Sequence, residues 1–132
     1  VSGSISQTYA TDFLSEVQGI MDQFESYRIR IWCFDTQVSG YDEFTHDDGR
    51  SITEFEMTGG GGTDFLPNWD FMKERDIVPD QFIMFTDGEC WGEWGDPDYC
   101  DTLFLIKNPY NKPVSPFGQT VYYESQDQKQ AA

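Results

Sequence analysis

Gln81-Phe82-Ile83-Met84-Phe85-Thr86-Asp87-Gly88-Glu89 decides how the rest of this 132-residue chain is read. The apolar run from Gln81 to Phe85 is short, rich in strand formers and closed by a turn dipeptide, so it reads as a buried strand that delivers an aspartate to its carboxyl end. Buried strands without polar alternation belong to parallel sheets covered on both faces. In such sheets ligands gather outside the carboxyl ends of the strands.

Working outward, Thr102 to Ile106 is a second short buried strand, and Gln119 to Tyr123 a third. Between them Glu89 to Asp101 has no period and reads as a surface loop, while Pro109 to Gly118 carries three prolines and no helical pattern. Upstream, Gly59 to Gly62 is a run of glycines that only a backbone-shaped loop would use. After it, Thr63 and Asp64 open a helix carrying Phe65, Leu66, Trp69, Phe71 and Met72, with Pro67 tolerated in its first turn.

From Ser6 to Phe24, Ala10, Phe13, Leu14, Val17, Met21 and Phe24 recur at spacings of three and four. That spacing predicts an amphipathic helix capped by Ser4 or Ser6. Tyr27 to Phe34 alternates Ile29, Ile31 and Cys33 against Arg28, Arg30 and Trp32, which predicts a half-buried strand. Weaker patterns suggest strands near Gln37 to Phe44 and Ser51 to Met57, separated by a polar turn at His46 to Gly49. The expectation is one α/β domain over residues 1–132, a doubly wound, mostly parallel sheet with one antiparallel edge strand and residues 124–132 as a flexible tail.

Composition narrows the function. Eight basic against 24 acidic side chains give a formal net charge of -16. Nucleic acid, which gains affinity from Lys and Arg contacts, is excluded as a partner. No apolar stretch reaches the roughly 18 residues of a membrane span. Cys33, Cys90 and Cys100 leave one thiol unpaired and give no secreted-type disulfide framework, so a reducing, cytoplasmic setting is expected. Cys90 and Cys100 with His46 lack zinc-ligand spacing, and Cys33 reads as core.

Three loops then stand where ligands would collect: Ser2-Gly3-Ser4, Gly59 to Asp64, and Thr86-Asp87-Gly88-Glu89. They offer hydroxyls and carboxylates only, a set that suits Mg²⁺, Mn²⁺ or Ca²⁺. Ser2-Gly3-Ser4-Ile5-Ser6, Gly60-Gly61-Gly62-Thr63-Asp64 and Phe85-Thr86-Asp87-Gly88 resemble the three loops of the metal-ion-dependent adhesion site of von Willebrand factor A (VWA) domains, which have a Rossmann-like fold. The nearest resemblance is to the C-terminal VWA-like domain of metallopeptidase-like proteins of bacteria and phages. Phe34-Asp35-Thr36 and Pro116-Phe117-Gly118 fit that subgroup as well, and the match runs to about Tyr123.

The resemblance implies Ser2, Ser4, Thr63 and Asp87 around one divalent cation, with Mg²⁺ first. It also implies an acidic side chain from a partner protein completing the metal's shell, and a MoxR-type AAA+ ATPase as a family-level partner. The family's first motif opens with an aspartate two positions before its first serine, following a central strand, so both are expected upstream of Val1. Asp35, Asp64 and Glu89 are expected near the site, although Asp64 better suits a helix cap, Asp35 also suits a strand end and Glu89 equally suits an exposed loop. Trp91, Trp94 and Tyr99 are either exposed partner anchors or a cover on the sheet.

The enzyme alternative is a metal-dependent hydrolase using Asp87 with Asp64 or Glu89. It lacks a Ser-His-Asp set and an H-E-x-x-H pair, and His46, the sole histidine, sits in a polar turn. Binding without catalysis is therefore the expected role. A VWA scaffold that binds partners without metal is the third option.

Overall fold

A computed structural model of the chain describes residues 1, 5–57, 64–90, 92–107 and 112–123. Helix α1 covers Gln7–Met21, capped by Ser6, whose hydroxyl accepts from the Tyr9 amide at 3.3 Å. Ala10 and Leu14 are its buried residues. Phe24, expected on the apolar face, lies beyond the helix in a turn and is 58% exposed, because α1 ends at Met21 and its face does not continue to residue 24.

Strands β1 (Arg28–Phe34) and β2 (Val38–Thr45) form an antiparallel hairpin whose register runs from Arg28 opposite Thr45 to Phe34 opposite Val38. The register shifts between Ile31 and Cys33, a bulge at Trp32. Alternation predicted a half-buried strand, but β1 is buried continuously from Ile31 to Phe34. Helices lie on both of its faces there, so both sets of side chains find apolar neighbours.

Residues 51–57, expected as a strand, instead contain a 3₁₀ turn at Ile52–Glu54. Ser51 and Glu54 form a reciprocal capping box, which satisfies the backbone locally and leaves no ladder to extend. Helix α2 (Leu66–Glu74) begins with Pro67 in its first turn and buries Asn68, Trp69 and Met72. Strands β3 (Phe82–Thr86), β4 (Thr102–Ile106) and β5 (Gln119–Tyr122) then pair in parallel, Phe82 facing Thr102 and Leu103 facing Gln119.

The layering follows from strand alternation. Ile31 and Cys33 pack with Leu14 of α1, and Phe85 and Leu105 with Ala10 of the same helix. Trp32, Phe34, Met84, Phe104 and Ile106 turn the other way, onto Trp69 and Met72 of α2. Each helix thus bridges both groups of strands. The expected single sheet is nevertheless divided among the described residues, into an antiparallel pair and a parallel triplet. Between β1 and β3 runs an apolar cavity of about 680 Å³.

Candidate functional site

Three stretches of the chain converge on one small apolar cluster of Ile5, Ala10, Phe85, Leu105 and Tyr123, with Val1 and Met57 packed against it. Their positions in sequence matter more than their number. Val1 and Ile5 flank the Ser2–Ser4 loop, Met57 directly precedes residues 58–63, and Phe85 leads into Thr86-Asp87-Gly88. The described residues that flank the three stretches singled out by sequence therefore meet in one patch of core.

A side chain reinforces the convergence. Gln7, in the first turn of α1, accepts from the Met57 amide at 2.9 Å through Oε1, and its Nε2 donates to the Phe55 carbonyl at 3.5 Å. The start of α1 and the approach to the glycine loop are thereby held together, across 50 residues of sequence.

The turn after β3 is rigidly built. The buried Thr86 hydroxyl accepts from the Gly88 amide at 3.2 Å, and Asp87 Oδ1 accepts from the Glu89 amide at 3.0 Å. Gly88 has φ +80°, and a Cβ there would stand 2.4 Å from Pro113 Cγ. Only glycine meets both demands. Asp87 is half-buried at the carboxyl end of β3, and Glu89 beside it is exposed.

Of the expected metal ligands, Asp87 is placed at this turn, whereas Ser2, Ser4 and Thr63 lie outside the described residues. Asp64 Oδ1 accepts from the Leu66 amide at 3.2 Å, the bond of a helix-initiating turn. Asp35 Oδ1 accepts from the Gln37 amide at 2.9 Å in the β1–β2 turn. Trp94 is half-buried against Phe65 and Phe104, and the Tyr99 hydroxyl donates to the Ile77 carbonyl at 2.6 Å. Trp91 lies outside the described residues.

One residue escaped the sequence reading. Lys107 follows β4 and lies next to Asp87 in the sheet, since its amide donates to the Thr86 carbonyl at 2.9 Å. Its side chain is buried, with Nζ 4.8 Å from the centre of the Tyr9 ring. The signal was present as a lone cation ending an apolar strand, a costly placement unless the charge is used or compensated.

Among the described residues no three of His, Cys, Asp and Glu come together as a metal-binding group. The exposed His46 stands at the amino end of β1, where its amide donates to the Tyr27 carbonyl at 3.3 Å. Among the described residues Cys33, Cys90 and Cys100 form no disulfide. Among the described residues no helix is long and apolar enough to cross a membrane.

A family model described as a VWA-like domain (DUF2201) matches residues 1–124. The chain belongs to this VWA-like family. Membership agrees with the mixed α/β architecture and the parallel three-stranded sheet. At the level of class it makes this VWA-like chain a protein-interaction module. No curated protein and no solved structure matches it.

Proposed function

We propose that this VWA-like chain recognises another protein through a bound divalent cation, held by Ser2, Ser4, Thr63 and Asp87. The convergence of the three loop flanks on the Phe85 cluster is the observation that supports it. Loops that share one anchor can present their oxygens to one ion, and the donor set of three hydroxyls and one carboxylate suits Mg²⁺, with Mn²⁺ or Ca²⁺ as substitutes. Such a set leaves the cation's charge under-compensated. An acidic side chain of the partner would complete the shell, as a binding event without bond cleavage. The net charge of -16 asks that the partner's surface around that carboxylate be basic.

In this reading the chain works in the cytoplasm within a larger assembly that includes an AAA+ ATPase. The test is calorimetric titration of Mg²⁺ and Mn²⁺ against the chain extended N-terminally by an apolar strand and the aspartate that opens the family's first motif, beside its Asp87→Ala variant. Saturable binding lost in the variant supports the reading. Binding of neither ion, or binding that survives the substitution, refutes it.

A further inference from the structure

Eight basic side chains stand against 24 acidic ones in this chain, yet three of the eight meet on one face of the β1–β2 hairpin. Ile29 and Ile31 turn toward the α1 side, so strand alternation turns Arg28 and Arg30 toward the α2 side. There Arg28 Nε lies 3.5 Å from Glu43 Oε1, and Arg30 Nε lies 3.4 Å from Glu43 Oε2. Arg75 arrives from the carboxyl end of α2, its guanidinium carbon 4.6 Å from the centre of the Phe71 ring and 5.2 Å from that of Tyr41. The Tyr41 hydroxyl donates to the same Glu43 Oε2 at 3.4 Å. One carboxylate thus stands among three guanidiniums. Among the described residues Arg75 has no ion pair, and its chain neighbours Glu74 and Asp76 supply none.

The patch has a rigid base. Buried Trp32 supports both rings beneath Arg75, its own ring centre 4.8 Å from that of Phe71 and 6.3 Å from that of Tyr41. Burial, then Glu43, hold the Tyr41 phenol above its usual 10.0 while Arg30 and Arg75 pull the other way, so all three charges bear on one hydroxyl. The outer edge of β2, by contrast, is closed to strand addition. The His46 amide donates inward to the Tyr27 carbonyl, so alternation turns the amides of Glu43 and Thr45 outward, where Asp42 Oδ1 and Asp48 Oδ2 each accept one at 2.8 Å. A partner on this side is met by the side chains of the face.

We propose that the face formed by Arg28, Arg30, Tyr41 and Arg75 docks an extended, carboxylate-rich segment of a partner protein with acidic residues at alternate positions. Arg28 and Arg30 are two residues apart on one strand, about 7 Å, which is the repeat of alternate side chains in an extended segment. Each guanidinium offers a planar fork that takes a carboxylate through two bonds, and the one stacked on Tyr41 and Phe71 is already oriented. The net charge of -16 selects a short protein segment over a long polyanion or an anionic membrane, because only groups within about 10 Å of the patch feel its local sign. This surface is separate from the metal loops. Residues 58–63 lead toward the amino end of α2, whereas Arg75 caps its carboxyl end, nine residues or about 13 Å away.

The test titrates the 132-residue chain into a fluorescein-labelled Glu-Thr-Glu-Thr-Glu-Thr peptide and reads fluorescence anisotropy, with the Gln-Thr counterpart as the uncharged control. Saturable binding is expected for the acidic peptide alone, and it should weaken steeply as salt rises from about 50 to about 300 mM. Arg75→Gln should weaken it by about fivefold or more. Arg50→Gln removes the same charge on the α1 side of the hairpin, where Arg50 lies 4.2 Å from the centre of the Phe44 ring, and should leave binding unchanged. No binding of the acidic peptide, or equal weakening by the two substitutions, overturns the proposal. Phosphatidylserine vesicles that bind in place of the peptide overturn it as well. Should Arg75→Gln lose its unfolding transition, Arg28→Gln reads the same contact from a side chain that is 62% exposed.

Discussion

The indole of Trp32 donates to Asn68 Oδ1 at 2.8 Å, a buried bond between β1 and α2. Asn68 is fully buried, and its Nδ2 donates in turn to the Phe65 carbonyl at 2.9 Å. Asn68→Leu would strand the Trp32 N–H in apolar surroundings. A loss of roughly 1–3 kcal/mol is expected from urea unfolding. Pairing it with Trp32→Phe should recover part of that loss, because no donor is then left unpaired. A double variant as unstable as the sum of the singles would show that the bond is not the cause.

Gly88→Ala places a side chain at φ +80° and against Pro113. Either effect alone costs on the order of 1 kcal/mol, and together they should exceed it. Thermal unfolding is the measurement. An unchanged midpoint would mean that the turn carrying Asp87 relaxes freely.

In the 132-residue chain the Val1 amine gives a pH signature. Its value near 6, against an ordinary 8.0, means that the unfolded chain binds the extra proton between these limits. Stability should therefore rise as pH climbs from about 6 to about 8, by up to roughly 2 kcal/mol, and this contribution should be level outside that window. Urea midpoints across pH 5.5 to 8.5 would show it. Acetylation of the amine should remove that share of the slope, and a slope that survives acetylation belongs to other groups.

The Tyr123 hydroxyl donates to Asp12 Oδ2 at 2.6 Å, joining the end of β5 to α1. Burial, and then the hydrogen bond and charge of Asp12, push the phenol above its usual 10.0. The folded chain keeps this proton where the unfolded chain gives it up, so stability falls as pH rises past about 10. Tyr123→Phe should flatten that fall in alkaline urea titrations, and should cost about 0.5–1.5 kcal/mol at neutral pH. A Phe variant with the same alkaline slope would place the titration elsewhere.

Elements held by their own apolar content were legible in the sequence. Thr102–Ile106 has the same bounds in the structure, and α1 is capped by Ser6, one of the two serines expected there. The misreadings have physical causes. Trp32 and Phe34 are buried on a face that alternation assigned to solvent, since α2 covers it and no local pattern reports a distant helix. The segment after Arg50 was a missed local signal, as Ser51 and Glu54 have the spacing of a capping box and outweigh the strand propensity of Ile52 and Thr53. The place of Asp87 at the end of β3 was legible because a strand must end somewhere and a turn dipeptide marked the place. The burial of Lys107 was marked only by a cation ending an apolar strand, since it depends on α1 closing over β4 through Tyr9.

Gln7 holds two stretches that the sequence keeps far apart, one just past the serine loop and one just before the glycine loop. It behaves as a strut. A pull applied at either end would be shared between the first turn of α1 and the chain at Met57, so the two stretches would yield together under load.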